Sequence, residues 1–262
     1  MTRLPRLILA LLTVMSLVQA GCTGPPSIQP QSLKTQAIER LHRSVDSPKP
    51  LVKMRAIESC VTLGLPNAQD ICIKAVSSPA PPLQFAGAMG LIELPTPAAH
   101  TALNKLLSSF DDSVRLAAIG ALHRLGQTEH STELITALSS PSPQTRGNAL
   151  MILGRLGDTS TIPAIRELLD NDPVQRVRLQ AAEALVLLGD EKVVSRLRRW
   201  QFSTLWQDRT FAVQMMGHVK DKRLIVPDLL QKLDDDDPNQ LVQLQSARSL
   251  GRLGQQEGFQ KA

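Results

Sequence analysis

The strongest constraint on what this chain can fold into is a repeat. Slid against itself, the sequence returns with a period near 31 residues, the size of a supersecondary unit that stacks on copies of itself. Lys53, Gln84, Arg115, Arg146, Arg178, Arg209 and Gln243 form one column, spaced by 31, 31, 31, 32, 31 and 34 residues. Three residues on, every member is small: Ala56, Gly87, Ala118, Ala149, Ala181, Ala212 and Ser246. Seven on stand Cys60, Leu91, Leu122, Leu153, Leu185, Met216 and Leu250, and ten on stand Leu63, Leu94, Leu125, Leu156, Leu188, Val219 and Leu253. Offsets of three, seven and ten share one face of a helix, and strand alternation does not fit them. The small column lets a neighbouring helix approach closely.

The helix ends repeat as well. Six residues before the reference column stand Ser47, Ser78, Ser109, Ser140, Asp172, Ser203 and Asp237, each able to cap a helix amino terminus. The next position holds Pro48, Pro79, Phe110, Pro141, Pro173, Thr204 and Pro238, which fits a first helical turn where proline forfeits no hydrogen bond. Eleven residues after the reference come Gly64, Pro95, Gly126, Gly157, Gly189, Lys220 and Gly254, mostly the glycine that ends a helix in a left-handed residue. Shorter apolar-periodic segments lie between, such as Thr161 to Leu169. Each repeat therefore reads as a helix pair, and the fold class as an all-α superhelix of about seven pairs. At about 10 Å between axes, such a stack runs roughly 70 Å.

Asp172-Pro173, Val177-Arg178, Ala181-Ala182 and Leu188-Gly189-Asp190 resemble the pattern of the HEAT-repeat family, most closely its bacterial short, lyase-type branch. The resemblance covers roughly residues 33 to 254. It implies an αα-superhelix whose second helices line an inner, often binding, face. The fold hosts scaffolds, adaptors and a few enzymes, so function has to be argued from sites.

The amino-terminal segment carries an address. Arg3 and Arg6 precede twelve mostly aliphatic residues, Leu7 to Val18, and then Gln19-Ala20-Gly21-Cys22. Twelve helical residues rise about 18 Å, too little to span a bilayer core of about 30 Å, and the order of regions is that of a secretory signal. The small pair before Cys22 resembles the lipobox of bacterial lipoproteins, which implies a lipid on the Cys22 thiol and cleavage before it. Gln19 stands where that pattern usually has an aliphatic residue, and Val18-Gln19-Ala20 also reads as an ordinary cleavage site leaving Gly21-Cys22 at a free terminus. The expected organisation is a signal peptide at 1–21, a flexible tether at 22–32 and a solenoid at 33–262. Thr23, in place of an inner-membrane-retaining Asp, points to the outer membrane, facing the periplasm.

Export also removes most of the apparent basicity. Without Arg3 and Arg6 the 29 Lys and Arg become 27 against 24 acidic residues, a net charge near +3, which argues against a nucleic-acid partner. Aromatic residues make up 3% of the chain, leaving little to stack bases on.

No catalytic, cofactor or metal constellation is expected. His42, His100, His123, His130 and His218 are scattered over different repeats without metal-ligand spacing. The His-Glu pairs on which deoxyhypusine hydroxylase, a related HEAT-like enzyme, relies are missing. In Asp234 to Asp237 the alternating ligands and the Gly of a calcium loop are absent; Asp237 is expected to cap the next helix and the others to be solvated. Cys60 lies in the buried column and Cys72 on the apolar face of a short helix, as packed free thiols or a bridged pair.

Partner binding is expected on the second helices. Nine residues after the reference stand Thr62, Glu93, Arg124, Arg155, Leu187, His218 and Arg252, with Arg176, Met151 and Met89 nearby, a mild cationic strip. A second feature, Arg196 to Trp206, holds both tryptophans and includes Arg199. Trp206 occupies a column otherwise held by Pro50, Pro81, Asp112, Pro143, Gln175 and Gln240, residues suited to solvent. It reads either as an interface hot spot or, with Phe202, as a plug in a widened junction. Arg124, Arg155, Arg176, Arg199 and Trp206 are thus the candidate protein-binding residues, and Cys22 the lipidation site. The sequence reads as a lipid-anchored, non-catalytic scaffold of a bacterial envelope with an unidentified protein partner; the alternative is a HEAT-like lyase-type enzyme or cofactor carrier. Self-association through an open carboxyl-terminal edge is a further expectation.

Overall fold

The computed structural model describes residues 30–235 and 237–255. The expected signal segment, Cys22 and the carboxyl-terminal edge beyond residue 255 lie outside them. The chain divides into two compact units, residues 1–44 and 45–262. In the first, α1 spans Pro30–Val45, starting three residues ahead of the Leu33 expected from the sequence. Between residues 35 and 44 its only aliphatic side chains are Ala37, Ile38 and Leu41, so this helix carries little to bury.

The second unit is the stack. Long helices α2 (Pro50–Thr62), α4 (Pro81–Glu93), α6 (Asp112–Arg124), α8 (Pro143–Leu156), α10 (Gln175–Leu188), α12 (Trp206–Met216) and α14 (Gln240–Arg252) recur once per repeat. They alternate with shorter α3 (Ala68–Val76), α5 (His100–Leu106), α7 (Ser131–Ala137), α9 (Ile162–Asn171), α11 (Val194–Trp200) and α13 (Val226–Asp234). Among the described residues there is no strand, and no helix is long and apolar enough to cross a membrane.

The periodic columns form the core. Every residue of the small column and every residue of the seven-offset column is buried. The ten-offset column is less consistent: Leu188 and Val219 are buried, whereas Leu63 is 62% exposed. Leu63 lies just past the end of α2, where its side chain leaves the buried stripe, whereas Leu125 and Leu253, just past α6 and α14, stay half-buried against the core. The glycine column behaves as read: Gly64, Gly126, Gly157, Gly189 and Gly254 all have positive φ, between 61° and 90°, a region side chains rarely enter.

The column of Ser and Asp does something other than capping. The residues preceding the long helices are Lys49, Ala80, Asp111, Ser142, Val174, Leu205 and Asn239, two positions further on than expected. In all seven repeats the Ser or Asp side chain instead accepts the backbone N–H two residues ahead, from Ser47 with Lys49 at 3.2 Å to Asp237 with Asn239 at 2.9 Å. This local turn leaves the intervening residue without a hydrogen-bonding duty, which is why proline suits that place. The reference column closes the same turn from behind. Gln84, Arg115, Arg146, Arg178 and Arg209 each donate to the carbonyl six residues back, at 2.6 to 3.1 Å.

Where the turn residue is Asp, the reference arginine of the preceding repeat also reaches it. Arg146 Nε and Nη2 donate to both oxygens of Asp172 at 2.7 and 3.0 Å, and Arg209 donates to both oxygens of Asp237 at 2.8 Å. These carboxylates are almost wholly buried, with side chains 1% and 2% exposed. Asp237 is therefore a buried inter-repeat ion pair, and Asn239 is the cap, its Oδ1 accepting from the Leu241 N–H at 3.0 Å.

Candidate partner-binding edge

Arg124 and Arg155 end neighbouring long helices, and the structure brings them together. Arg124 Nη2 donates to the Arg155 carbonyl at 2.7 Å, while Arg155 pairs with Glu93 at 3.3 Å and donates to the Met151 carbonyl at 2.9 Å. The strip is thus largely engaged within the protein, and Met89, expected beside it, is buried. Further along the same column, Arg252 donates to the His218 ring at 2.6 Å. Burial first, and then the Arg252 cation, hold the His218 imidazole below its ordinary value.

The other candidates sit elsewhere. Arg176 is the second residue of α10 and Trp206 the first of α12, so both lie at the opposite ends of the long helices from Arg124 and Arg155. A helix of the length of α10 rises about 21 Å, so the five residues do not form one site. Gln175 Nε2 donates to Asp208 Oδ1 at 3.4 Å, which joins the start of α10 to the start of α12. Arg199 is exposed at the end of α11 and its carbonyl accepts the Phe202 N–H at 3.2 Å, so Arg199 and Trp206 flank one turn.

That turn is apolar and open to solvent. Phe202, Leu205 and Trp206 are 62%, 57% and 40% exposed. The ammonium of Lys232 stands 5.2 Å from the centre of the Phe202 ring, within the range of a cation–π contact. Trp200, by contrast, packs edge-on against Phe211 with ring centres 6.1 Å apart. Leu205 was legible by the logic that singles out Trp206: its column otherwise holds Lys49, Ala80, Asp111, Ser142, Val174 and Asn239, of which only Val174 is a large aliphatic residue. Phe110, the one aromatic in a column of mostly proline, is likewise fully exposed.

The remaining polar candidates are occupied locally. His123 meets Ser131 at 2.7 Å, His130 meets Glu133 at 3.1 Å, and His100 meets Gln127 at 3.0 Å. Among the described residues no group of three or more His, Cys, Asp and Glu side chains is placed to hold a metal ion. Cys60 and Cys72 are buried free thiols. Burial, with Cys60 adding to it, pushes the Cys72 thiol up to about 12, so it is protonated and poorly nucleophilic at neutral pH.

Residues 131–201 match a model of HEAT repeats. No match was found among curated proteins. Among solved structures, the complex of CpcE and CpcF of phycocyanin lyase from Nostoc sp. PCC7120 is 21% identical, with a TM-score of 0.51 over 88% of this chain and 90% of that one. Human deoxyhypusine hydroxylase in complex with glycerol is 19% identical, with a TM-score of 0.36 over 88% and 90% of the two chains. At 21% identity the likeness to the first of these is one of fold.

Proposed function

We propose that this chain is a HEAT-repeat protein acting as a non-catalytic protein-binding scaffold, exported and held at the outer membrane by a lipid on Cys22. The observation that carries the binding role is the exposed turn of Phe202, Leu205 and Trp206, bordered by Arg199. Large apolar side chains beside arginines are the composition of interface anchors, and a protein in water gains nothing by exposing three together. The repeat type supports the same reading, because a stack of helix pairs offers an extended surface.

Crosslinking of the membrane-bound protein in its native cell, read by mass spectrometry, tests this. The expected product joins the chain to a protein partner through the 199–206 segment; Leu205→Ala with Trp206→Ala removes it, and Arg124→Glu leaves it in place. Loss on Arg124→Glu alone would move the contact to the cationic strip. In the same run the peptide beginning at Cys22 is expected to carry acyl chains, and an unmodified Gly21-Cys22 terminus would refute the anchor. A chromophore or a stoichiometric metal on the purified chain would favour a lyase-type enzyme or cofactor carrier instead.

A further inference from the structure

The turn-to-turn ion pairs expose an omission at the head of the stack. Between α8 and the following turn, Arg146 fills the gap, holding its own turn at the Ser140 carbonyl and the next turn at the Asp172 carboxylate. The corresponding residues between α2 and the following turn are Lys53 and Ser78. Ser78 is already engaged: its hydroxyl accepts the Ala80 N–H at 3.2 Å and its carbonyl accepts from Gln84 at 2.8 Å. Lys53 is half-buried, and among the described residues its ammonium has no hydrogen bond or ion pair. Ala75 stands where the later repeat has the buried Leu169. At this junction, with Ser78 in place of an Asp and Ala75 in place of a Leu, lies a cavity of about 240 Å³, wholly within the second unit. Ile57, Ile71, Ala75, Leu83, Lys53 and Ser78 line it, together with Val45 and with Asp46 and Lys74, which pair with each other at 3.7 Å.

A cation that has no partner among the described residues, beside an apolar wall, has one complementary ligand chemistry: a single carboxylate on an aliphatic chain. A phosphate or a dicarboxylate brings more negative charge than Lys53 alone balances, because Lys74 is already paired with Asp46, and burying unpaired charge is costly. The volume is below the roughly 300–1,000 Å³ of pockets for drug-sized ligands, so the chain is short. We propose that this cavity binds a medium-length aliphatic monocarboxylate, its head on Lys53 in the place that Asp172 and Asp237 hold in later repeats, its tail against Ile57, Ile71, Ala75 and Leu83. The protein thus carries a small-molecule site at the opposite end of the stack from the Trp206 turn.

Titration calorimetry of the full chain with octanoate at low salt tests the assignment. Saturable one-to-one binding is expected, tightening about fourfold per methylene from hexanoate to octanoate. Octan-1-ol and octylamine should bind at least tenfold more weakly. Lys53→Met should weaken octanoate at least tenfold, while Ala75→Leu, which refills the cavity, and Ser78→Asp, which supplies the carboxylate from the chain itself, should abolish it, with helix content by circular dichroism unchanged. Absence of saturable binding, or octan-1-ol binding as tightly as octanoate, overturns the proposal. So does octanoate binding that Lys53→Met leaves unaltered. The comparison of octanoate with octan-1-ol needs only the natural sequence and decides the matter even where a variant fails to fold.

Discussion

Asp172 shows how much one residue of the repeat pattern carries. Its side chain ends the turn by taking the Val174 N–H at 2.9 Å, its carbonyl takes the Arg178 guanidinium, and its carboxylate takes the Arg146 guanidinium from the previous repeat. Burial alone would raise this carboxyl, but the hydrogen bonds and positive charge of Arg146, with Val174 and Arg178, hold it below its ordinary value of 3.8. Arg209 does the same for Asp237, and Arg166 for Asp190. A carboxylate lowered on folding stabilises the fold fully above its unfolded value and loses that contribution as pH falls through the folded one. The protein should therefore keep its urea midpoint down to about pH 5 and lose it progressively below 3.8. Arg146→Met strands a buried charge and should cost about 3 kcal/mol at pH 7, with a shallower acid loss than the natural protein. Arg55→Met, which breaks an exposed pair with Glu58, should cost under about 0.5 kcal/mol. Equal losses in the two variants would show that the buried pair contributes nothing special. Sequence alone could mark Asp172 as a helix-start residue; it could not reveal that the carboxylate answers an arginine 26 positions earlier, since only stacking brings the two together.

At the level of helices, the sequence was most readable where one residue type meets a single backbone demand. The five glycines that stop helices all adopt the left-handed conformation, and the buried stripe of the long helices follows the three and seven offsets without exception. Readability failed at helix starts, where Ser and Asp serve equally as caps and as turn residues, and at close approaches between backbones. Gly87 is the sharpest example. Five of its six counterparts are Ala within the helix, which by propensity makes Gly87→Ala a stabilising change of about 1 kcal/mol. Yet a β-carbon there would lie 2.7 Å from the Cys72 carbonyl oxygen and 2.9 Å from the Val76 nitrogen, both backbone atoms of α3. Backbone cannot yield as a side-chain tip does, so α3 would have to move off α4. Gly87→Ala should destabilise the protein by about 1–2 kcal/mol in chemical denaturation. A gain in stability would mean that α3 relaxes freely.

Across the whole stack, stability is a sum of repeats and of the interfaces between neighbours, so the weakest interface decides where it opens. Closely packed long helices run from α4 to α10, and α12 packs on α14, but α10 meets α12 over a much shorter stretch. At this turn Ser203 stands where Asp172 and Asp237 stand in their repeats, and Arg178, with no forward carboxylate, bonds to Gln175 as well as to the Asp172 carbonyl. The exposed Phe202, Leu205 and Trp206 lie on this seam, which unites the two readings of Trp206: a loosened junction is what leaves these side chains uncovered. The scaffold's candidate contact and its weakest interface thus coincide. Native-state hydrogen exchange should find the amides of α12 to α14 opening together at lower free energy than those of α4 to α10, and limited proteolysis should cut first between Gln201 and Leu205. A partner bound across the turn joins both sides of the seam, so its addition should slow exchange in α12 to α14 and protect the cleavage site together. Uniform exchange along the stack would contradict the seam, and partner binding that protects α6 and α8 instead would return the contact to Arg124 and Arg155.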